Sequence, residues 1–187
     1  MNKQRLIILE GPVAVGKSTL LSNMPDVWQI KENYLEFCQN YGFNTNTYES
    51  QLGWIVHWFT RVEFCHRMDP SIPIVTDRSP YSSLCYTQNV VDQLLPLITK
   101  KFNYFQTIFD IQYYLLQCNE DERIKRITDR ANKNSIRDLD FELNIMRHEN
   151  KWYADSFLSL YNPCGTMREI VMVNTNDTIG NLIRIIK

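Results

Sequence analysis

The amino-acid sequence predicts an α/β fold, with a central parallel sheet of five strands and helices on both faces. Two observations carry this expectation. Short apolar runs alternate along the chain with longer stretches whose apolar residues recur every three or four positions. Three of the apolar runs also end at or just before chemistry-bearing residues, Gly11, Glu32 and Asp77. In a parallel sheet the C-terminal ends of the strands share one edge, where ligands gather. The chain has 187 residues and shows no repeat, low-complexity tract or linker, so one domain spanning residues 1–187 is expected.

Leu6 to Leu9 is a short apolar run that reads as a buried first strand. A helix is expected from Lys17 to about Asn23, stopped by Pro25, and a second strand over Val27 to Lys31. Tyr34 to Thr47 is polar and aromatic with little periodicity, which suits a loop or a broken helix. Tyr48 to Arg67 is a long helix. Tyr48, Leu52, Ile55, Phe59 and Val62 form its core stripe, and Gln51, Trp54, Trp58 and Arg61 share the neighbouring face. Ile74 to Asp77 is a short strand ending in a carboxylate. Ser79 to Asn89 should be helical with Pro80 in its first turn, and helix continues through Val90 to Lys101 around Pro96.

Gln112 to Leu116 is expected to be a fourth strand. Asn119 can cap the next helix, with Glu122 as its capping-box partner. That helix carries Arg123, Lys125, Arg126 and Arg130, and the polar stretch Ala131 to Arg137 should be mobile. Asp138 to Phe157 is amphipathic, with Leu139, Leu143, Met146, Tyr153 and Phe157 inward. Pro163-Cys164-Gly165 turns the chain, Glu169 to Val173 is the last strand and Thr178 to Lys187 the last helix.

Composition narrows the function. The formal net charge is −1, so there is no basic excess to neutralise a phosphate backbone, which argues against polymeric nucleic acid as a partner. No apolar run approaches the ~20 residues needed to span a bilayer. The first apolar run is too short for a signal peptide. The five cysteines (Cys38, Cys65, Cys85, Cys118, Cys164) are odd in number and lack C-x-x-C spacing. They suit a reduced, cytoplasmic chain without structural zinc. His57, His66 and His148 are too dispersed to suggest a metal site.

The strongest motif is Gly11-Pro12-Val13-Ala14-Val15-Gly16-Lys17-Ser18, followed by Thr19. It fits G-x-x-x-x-G-K-[ST] at every fixed position, between an expected strand and an expected helix. Glycines let the loop turn its N–H groups onto one anion, and the helix start adds its own. Lys17 can reach the outer phosphates of a nucleotide and Ser18 can ligate Mg²⁺. Asp77 can hold the same Mg²⁺, and Arg78 can neutralise the transferring phosphoryl group. Asp110 is a weaker metal candidate, because it precedes the fourth strand and falls at the opposite end of the sheet. Glu32 follows the second strand and can accept a proton from a substrate hydroxyl.

With these pieces in order, the chain resembles the deoxyribonucleoside kinase family of P-loop kinases. That family carries a Glu-Pro-x-x-x-Trp stretch after the second strand, a Glu/Asp-Arg-Ser stretch after the third, and an arginine-rich lid. Here Glu32 to Phe37 matches the first, with Asn33 in place of proline and Phe37 in place of tryptophan. Asp77-Arg78-Ser79-Pro80-Tyr81-Ser82 fits the second closely, and Glu122 to Arg130 fits the lid helix loosely.

The resemblance implies a P-loop kinase fold with a short lid. It implies transfer of the ATP γ-phosphoryl to the 5′-hydroxyl of a deoxynucleoside, with Mg²⁺, in a homodimer. Glu32 would be the base and Arg78 would sit beside it. Gln51 would pair with the substrate base, whose edge its amide suits if that base is a pyrimidine such as thymine or cytosine. Phe37, Trp58 and Tyr86 would line the nucleoside pocket, and Tyr41 or Tyr48 would contact the 3′-hydroxyl. Arg126 and Arg130 would close over the phosphates. The family's lid glutamate has no counterpart in Asn132-Lys133-Asn134-Ser135.

Two other functions fit parts of the pattern. A nucleoside monophosphate kinase, such as a thymidylate kinase, shares the phosphate loop and an Asp-Arg pair, but it needs an arginine where Glu32 stands. A GTPase switch would use Asp177-Thr178-Ile179-Gly180 as its D-x-x-G. That stretch follows the last expected strand, and no N-K-x-D base-reading stretch accompanies it.

Overall fold

The computed structural model describes residues 3–87, 90–133, 138–157, 166–171 and 180. Its sheet is built around β1 (Gln4–Glu10). Leu6 and Ile8 enter the larger core, whereas Ile7 and Leu9 enter a smaller one on the opposite face. Both faces of the strand are covered, which is why its sequence is continuously apolar rather than alternating.

β3 (Ile74–Asp77) and β4 (Phe109–Gln117) flank β1, β2 (Trp28–Ile30) lies outside β3, and β5 (Thr166–Val171) lies outside β4. The order is β2-β3-β1-β4-β5, and every pairing is parallel. The connections from β1 and β3 leave in opposite directions, so a crevice opens between the C-terminal ends of β1 and β3.

The helices are α1 (Lys17–Ser22), α2 (Tyr34–Tyr41), α3 (Tyr48–Met68), α4 (Pro80–Ser83), α5 (Val91–Ile108), α6 (Glu120–Lys133) and α7 (Leu139–Trp152). A π-helical turn, Tyr153–Phe157, continues α7. Among the described residues, no helix is long and apolar enough to cross a membrane.

Several boundaries differ from those expected. The helix after Ser79 ends at Ser83, and the chain then turns. The Thr87 hydroxyl bonds the Ser83 carbonyl, an alternative to helical pairing that short polar side chains favour. Asn119 caps α6 through the Asp121 N–H, while Glu122 pairs with Arg126. β4 starts at Phe109, so Asp110 lies inside it opposite Arg5, at the far end of the sheet from the phosphate loop. β5 starts earlier than expected because its ladder follows β4 from Gln112 to Gln117. Most of the polar stretch after α6, the Pro163 turn, the D-x-x-G at Asp177 and most of the last helix lie outside the described residues.

α3 buries more of its surface than one stripe. Ile55, Phe59 and Val62 are buried, but so are Gln51, Trp54 and Trp58. Trp58 packs on Phe59 and Phe102 and is 1% exposed, so it is a core residue and not a pocket wall.

Candidate functional site

The loop after β1 turns where only glycine fits. Gly11 has φ 133°, and a Cβ there would lie 2.4 Å from the carbonyl oxygen of Leu116 on β4. Gly16 has φ 112° at the start of α1. Lys17 folds back into the loop, where its ammonium donates to the carbonyls of Gly11 (2.7 Å) and Pro12 (3.0 Å). Burial and the nearby Arg78 charge lower its pKa to about 8, although Asp77, Glu149 and Glu10 oppose the shift. From outside, α6 holds the other loop carbonyls. Arg123 Nε donates to Val13, and Arg126 Nη1 donates to Ala14 and Val15.

Ser18 and Asp77 meet beside the loop, with the Ser18 hydroxyl donating to Asp77 Oδ2 at 2.6 Å. Asp77 is 3% exposed, and its Oδ1 is buried without a hydrogen-bond partner. A buried carboxylate oxygen left open beside a hydroxyl suits Mg²⁺, which takes one or two protein oxygens and fills its shell with water and phosphate.

The Arg78 backbone is pinned from three directions. It has φ 70°. Its N–H donates to the Leu9 carbonyl at 2.8 Å, and its own carbonyl accepts from Trp58 Nε1 (3.2 Å) and Thr76 Oγ1 (2.9 Å). This is where Trp58 bears on the site, since it holds the backbone of Arg78 rather than lining the cavity. The next residue is anchored by Glu10, a fully buried carboxylate. Glu10 accepts from the Ser79 N–H (2.8 Å), Ser79 Oγ (2.5 Å), Ser82 Oγ (2.6 Å) and the Tyr153 hydroxyl (2.9 Å). Burial raises its pKa, and the serine bonds and the Arg78 charge oppose that without cancelling it.

Next to this segment lies a cleft that opens to solvent. Its lining includes Glu32, Arg78, Gln51, Trp54 and Tyr86, which come from three separate stretches of the chain. Glu32 is exposed at the rim. Its loop is held by Arg61, whose Nη1 donates to the Lys31 carbonyl and to Asn33 Oδ1, each at 3.1 Å. Gln51 is 1% exposed, and its amide nitrogen is buried with no hydrogen-bond partner. The Arg78 side chain is 12% exposed. Its Nη2 pairs with Glu149 Oε1 at 2.7 Å, and its Nη1 is buried without a partner. Two unpaired donors buried at one cleft mark places where a ligand would complete the hydrogen bonding.

The other expected substrate contacts lie elsewhere. Phe37 is 6% exposed and packs against Tyr41, Phe43, Trp54 and His57, so it belongs to an aromatic cluster behind Trp54. Tyr41 is 63% exposed at the end of α2. Tyr48 packs half-buried against the larger core. Arg130 pairs with Glu142 of α7 at 3.6 Å, and Arg126 pairs with Glu122 while touching the outside of the phosphate loop. Neither of these two arginines lines the cleft.

Tyr34 and Glu149 are site residues that the sequence reading missed. Tyr34 lines the cleft, and its hydroxyl bonds Ser50 Oγ at 2.9 Å and accepts from the Asn46 N–H at 2.7 Å. Glu149 accepts from Arg78, from the Tyr86 hydroxyl and from the Val13 N–H. Burial alone would raise its pKa, but Arg78, Lys17 and these donors hold it below the usual carboxylate value. A signal for Glu149 was present, since it lies three residues after Met146 and four before Tyr153, on the inward face of α7.

No protein-family model and no curated protein matches the chain. Solved structures do. A deoxyadenosine kinase from M. mycoides with bound dCTP superposes at TM-score 0.57 and 15% identity, covering 97% of this chain and 98% of that one. A thymidylate kinase from Candida albicans superposes at TM-score 0.55 and 16% identity, covering 98% of this chain and 91% of that one. At such identities these likenesses establish a shared fold.

Proposed function

We propose that this chain is a P-loop phosphotransferase of the deoxyribonucleoside kinase type, passing the γ-phosphoryl group of ATP to the 5′-hydroxyl of a deoxynucleoside. The observation that carries this reading is the cleft shared by Glu32, Arg78 and Gln51, in which Arg78 is tied through Glu149 to Val13 of the phosphate loop. Each suits one part of a nucleoside acceptor. Glu32 can take the hydroxyl proton, and Arg78 can steady charge on the oxygen and on the transferring group. Gln51 offers an unpaired amide N–H₂ to a base edge, with a pyrimidine such as thymine or cytosine favoured.

The loop and Lys17 would bind the triphosphate, and the Lys17 ammonium would exchange its two loop carbonyls for phosphate oxygens. Ser18 and Asp77 would hold Mg²⁺, which supplies positive charge to the phosphates. Arg123 and Arg126 brace the loop from α6. Catalysis in this arrangement is mostly positioning and charge neutralisation. That the likenesses include a deoxyadenosine kinase and a thymidylate kinase supports a nucleoside or nucleotide acceptor.

A second reading, transfer to a nucleoside monophosphate, has one observation in its favour. Arg78 Nη1 is buried, unpaired and able to take an anionic acceptor. Against it, the carboxylate of Glu32 lines the same cleft and would repel a phosphate. An acceptor panel with radiolabelled ATP separates the two. Label in thymidine or deoxycytidine supports the nucleoside reading. Label only in their monophosphates replaces it with the second, and label in neither overturns both.

A further inference from the structure

Glu149 is a carboxylate that touches both halves of the proposed site through side-chain hydrogen bonds. It comes from α7, far in sequence from everything it binds, and it is fully buried. Its Oε2 accepts from the Val13 N–H inside the phosphate loop. Its Oε1 accepts from Arg78 Nη2 and from the Tyr86 hydroxyl on the cleft side. A loop of this sequence exists to turn N–H groups onto an anion. In the structure, the anion at Val13 is a protein carboxylate. Lys17 is likewise satisfied from within, by the carbonyls of Gly11 and Pro12. The loop is therefore capped by the protein's own groups.

We propose that Glu149 is a positioning residue shared by the two halves of the site. Its Oε2 holds the phosphate loop through Val13 until a donor phosphate takes that N–H, while its Oε1 keeps Arg78 aimed at the cleft. This deepens the kinase reading and rests on it for the second half only. The first half needs nothing beyond a triphosphate in the loop. The physical reason is competition, because two anions cannot share one N–H at hydrogen-bond distance, and like charges in a buried site repel strongly. A triphosphate entering the loop must displace Oε2. Arg78 and Tyr86 keep Oε1 in place as this happens, so Arg78 stays fixed while the loop changes partner.

The test is the affinity of the full chain for a β,γ-imido analogue of ATP with Mg²⁺, measured by calorimetry on wild type and Glu149→Gln. Removing the resident charge should tighten binding at least tenfold, and Glu149→Asp, which withdraws the charge from Val13, should tighten it less. In turnover, Glu149→Gln should lower the KM for ATP and also lower kcat, because Arg78 has lost its ionic partner. A merely structural role would raise KM. Unchanged or weaker analogue binding in a folded Glu149→Gln protein overturns the proposal.

Wild type supplies a measurement that does not depend on any variant folding. Without nucleotide, the Val13 amide proton should exchange at least tenfold more slowly than an unprotected amide. Exchange at the open-loop rate also overturns the proposal. The analogue and exchange measurements use no acceptor, so a failure of the nucleoside reading leaves them interpretable.

Discussion

Arg78 Nη2 lies 2.7 Å from Glu149 Oε1, joining the end of β3 to the last turn of α7 across 71 residues of sequence. The pair is almost fully buried, at 12% and 1% side-chain exposure. Burial would lower the pKa of the guanidinium, but the carboxylate outweighs it and holds the charge in place. A buried pair of this kind is weak evidence for stability and better evidence for orientation, because breaking it strands a charge. Here the oriented group is the cation that lines the cleft together with Glu32.

Glu32 is the group whose removal tests the chemistry most directly. It lies at the exposed rim of the cleft, and its side chain accepts from the Tyr34 N–H at 3.4 Å. Replacing Glu32 by Gln keeps the shape and removes the proposed base. Turnover should fall by about two to four orders of magnitude, the usual weight of general-base catalysis. Nucleoside affinity, read by equilibrium binding, should change only a few-fold. A large loss of affinity with turnover per bound complex preserved would remove Glu32 from the base role.

Lys17 gives a pH dependence with a definite sign. Its pKa in the folded chain is about 8, against 10.5 ordinarily. Between those values the unfolded chain binds a proton that the native loop does not, so this group's contribution to stability rises with pH across that window. Donor binding runs the other way. A triphosphate favours the ammonium, so above pH 8 binding must take up a proton, and affinity should fall by up to about tenfold per pH unit. Below pH 7 this group should contribute no pH dependence. Calorimetry at pH 9 in two buffers of different ionisation enthalpy measures the proton uptake. Lys17→Ala should abolish the pH effect, together with several kcal/mol of transition-state stabilisation, about the scale of an oxyanion donor or more.

The sequence disclosed the parts of the site that lie close together along the chain, and it missed those that meet only in space. The phosphate loop and Asp77-Arg78-Ser79 each follow a strand directly, so strand order alone brings them to one edge. Gln51 was placed by the phase of α3. That same phase put Trp58 on the pocket face, because helical arithmetic shows which residues share a side and not whether that side meets core or cavity. Phe37 was placed by the resemblance instead, and an aromatic on α2 packs equally well against the far side of Trp54. The partners of Glu149 are 63, 71 and 136 residues away, beyond any local pattern. The clue was a carboxylate on the inward face of an amphipathic helix, where an unpaired charge is too costly to bury.

Gly11 should tolerate no side chain. Its φ of 133° is closed to other residues, and an added Cβ would lie 2.4 Å from a backbone oxygen that cannot turn aside. Gly11→Ala should cost roughly 1–3 kcal/mol of stability from strain at the turn. It should also weaken triphosphate binding by at least about tenfold, since the turn sets the direction of the N–H groups that follow. Denaturant unfolding and analogue titration measure the two effects. An alanine variant with wild-type affinity would show that the loop reaches its binding shape by another route.

Glu10 carries the last prediction, which concerns how the cleft is braced. Its carboxylate takes four donors, three from Ser79 and Ser82 on one side of the cleft and one from Tyr153 in the π-helical turn after α7. All of these groups are buried, so Glu10→Ala strips them of a partner that water cannot easily replace. The expected cost is about 3 kcal/mol or more, read as a lowered Tm. Glu10→Gln, which keeps one acceptor, should cost less. The damage should also reach function, because Ser79 follows Arg78 directly and its N–H is held by Glu10 at 2.8 Å. Both variants should therefore lower kcat more than they weaken triphosphate binding, and equal losses in the two would assign Glu10 to general stability instead.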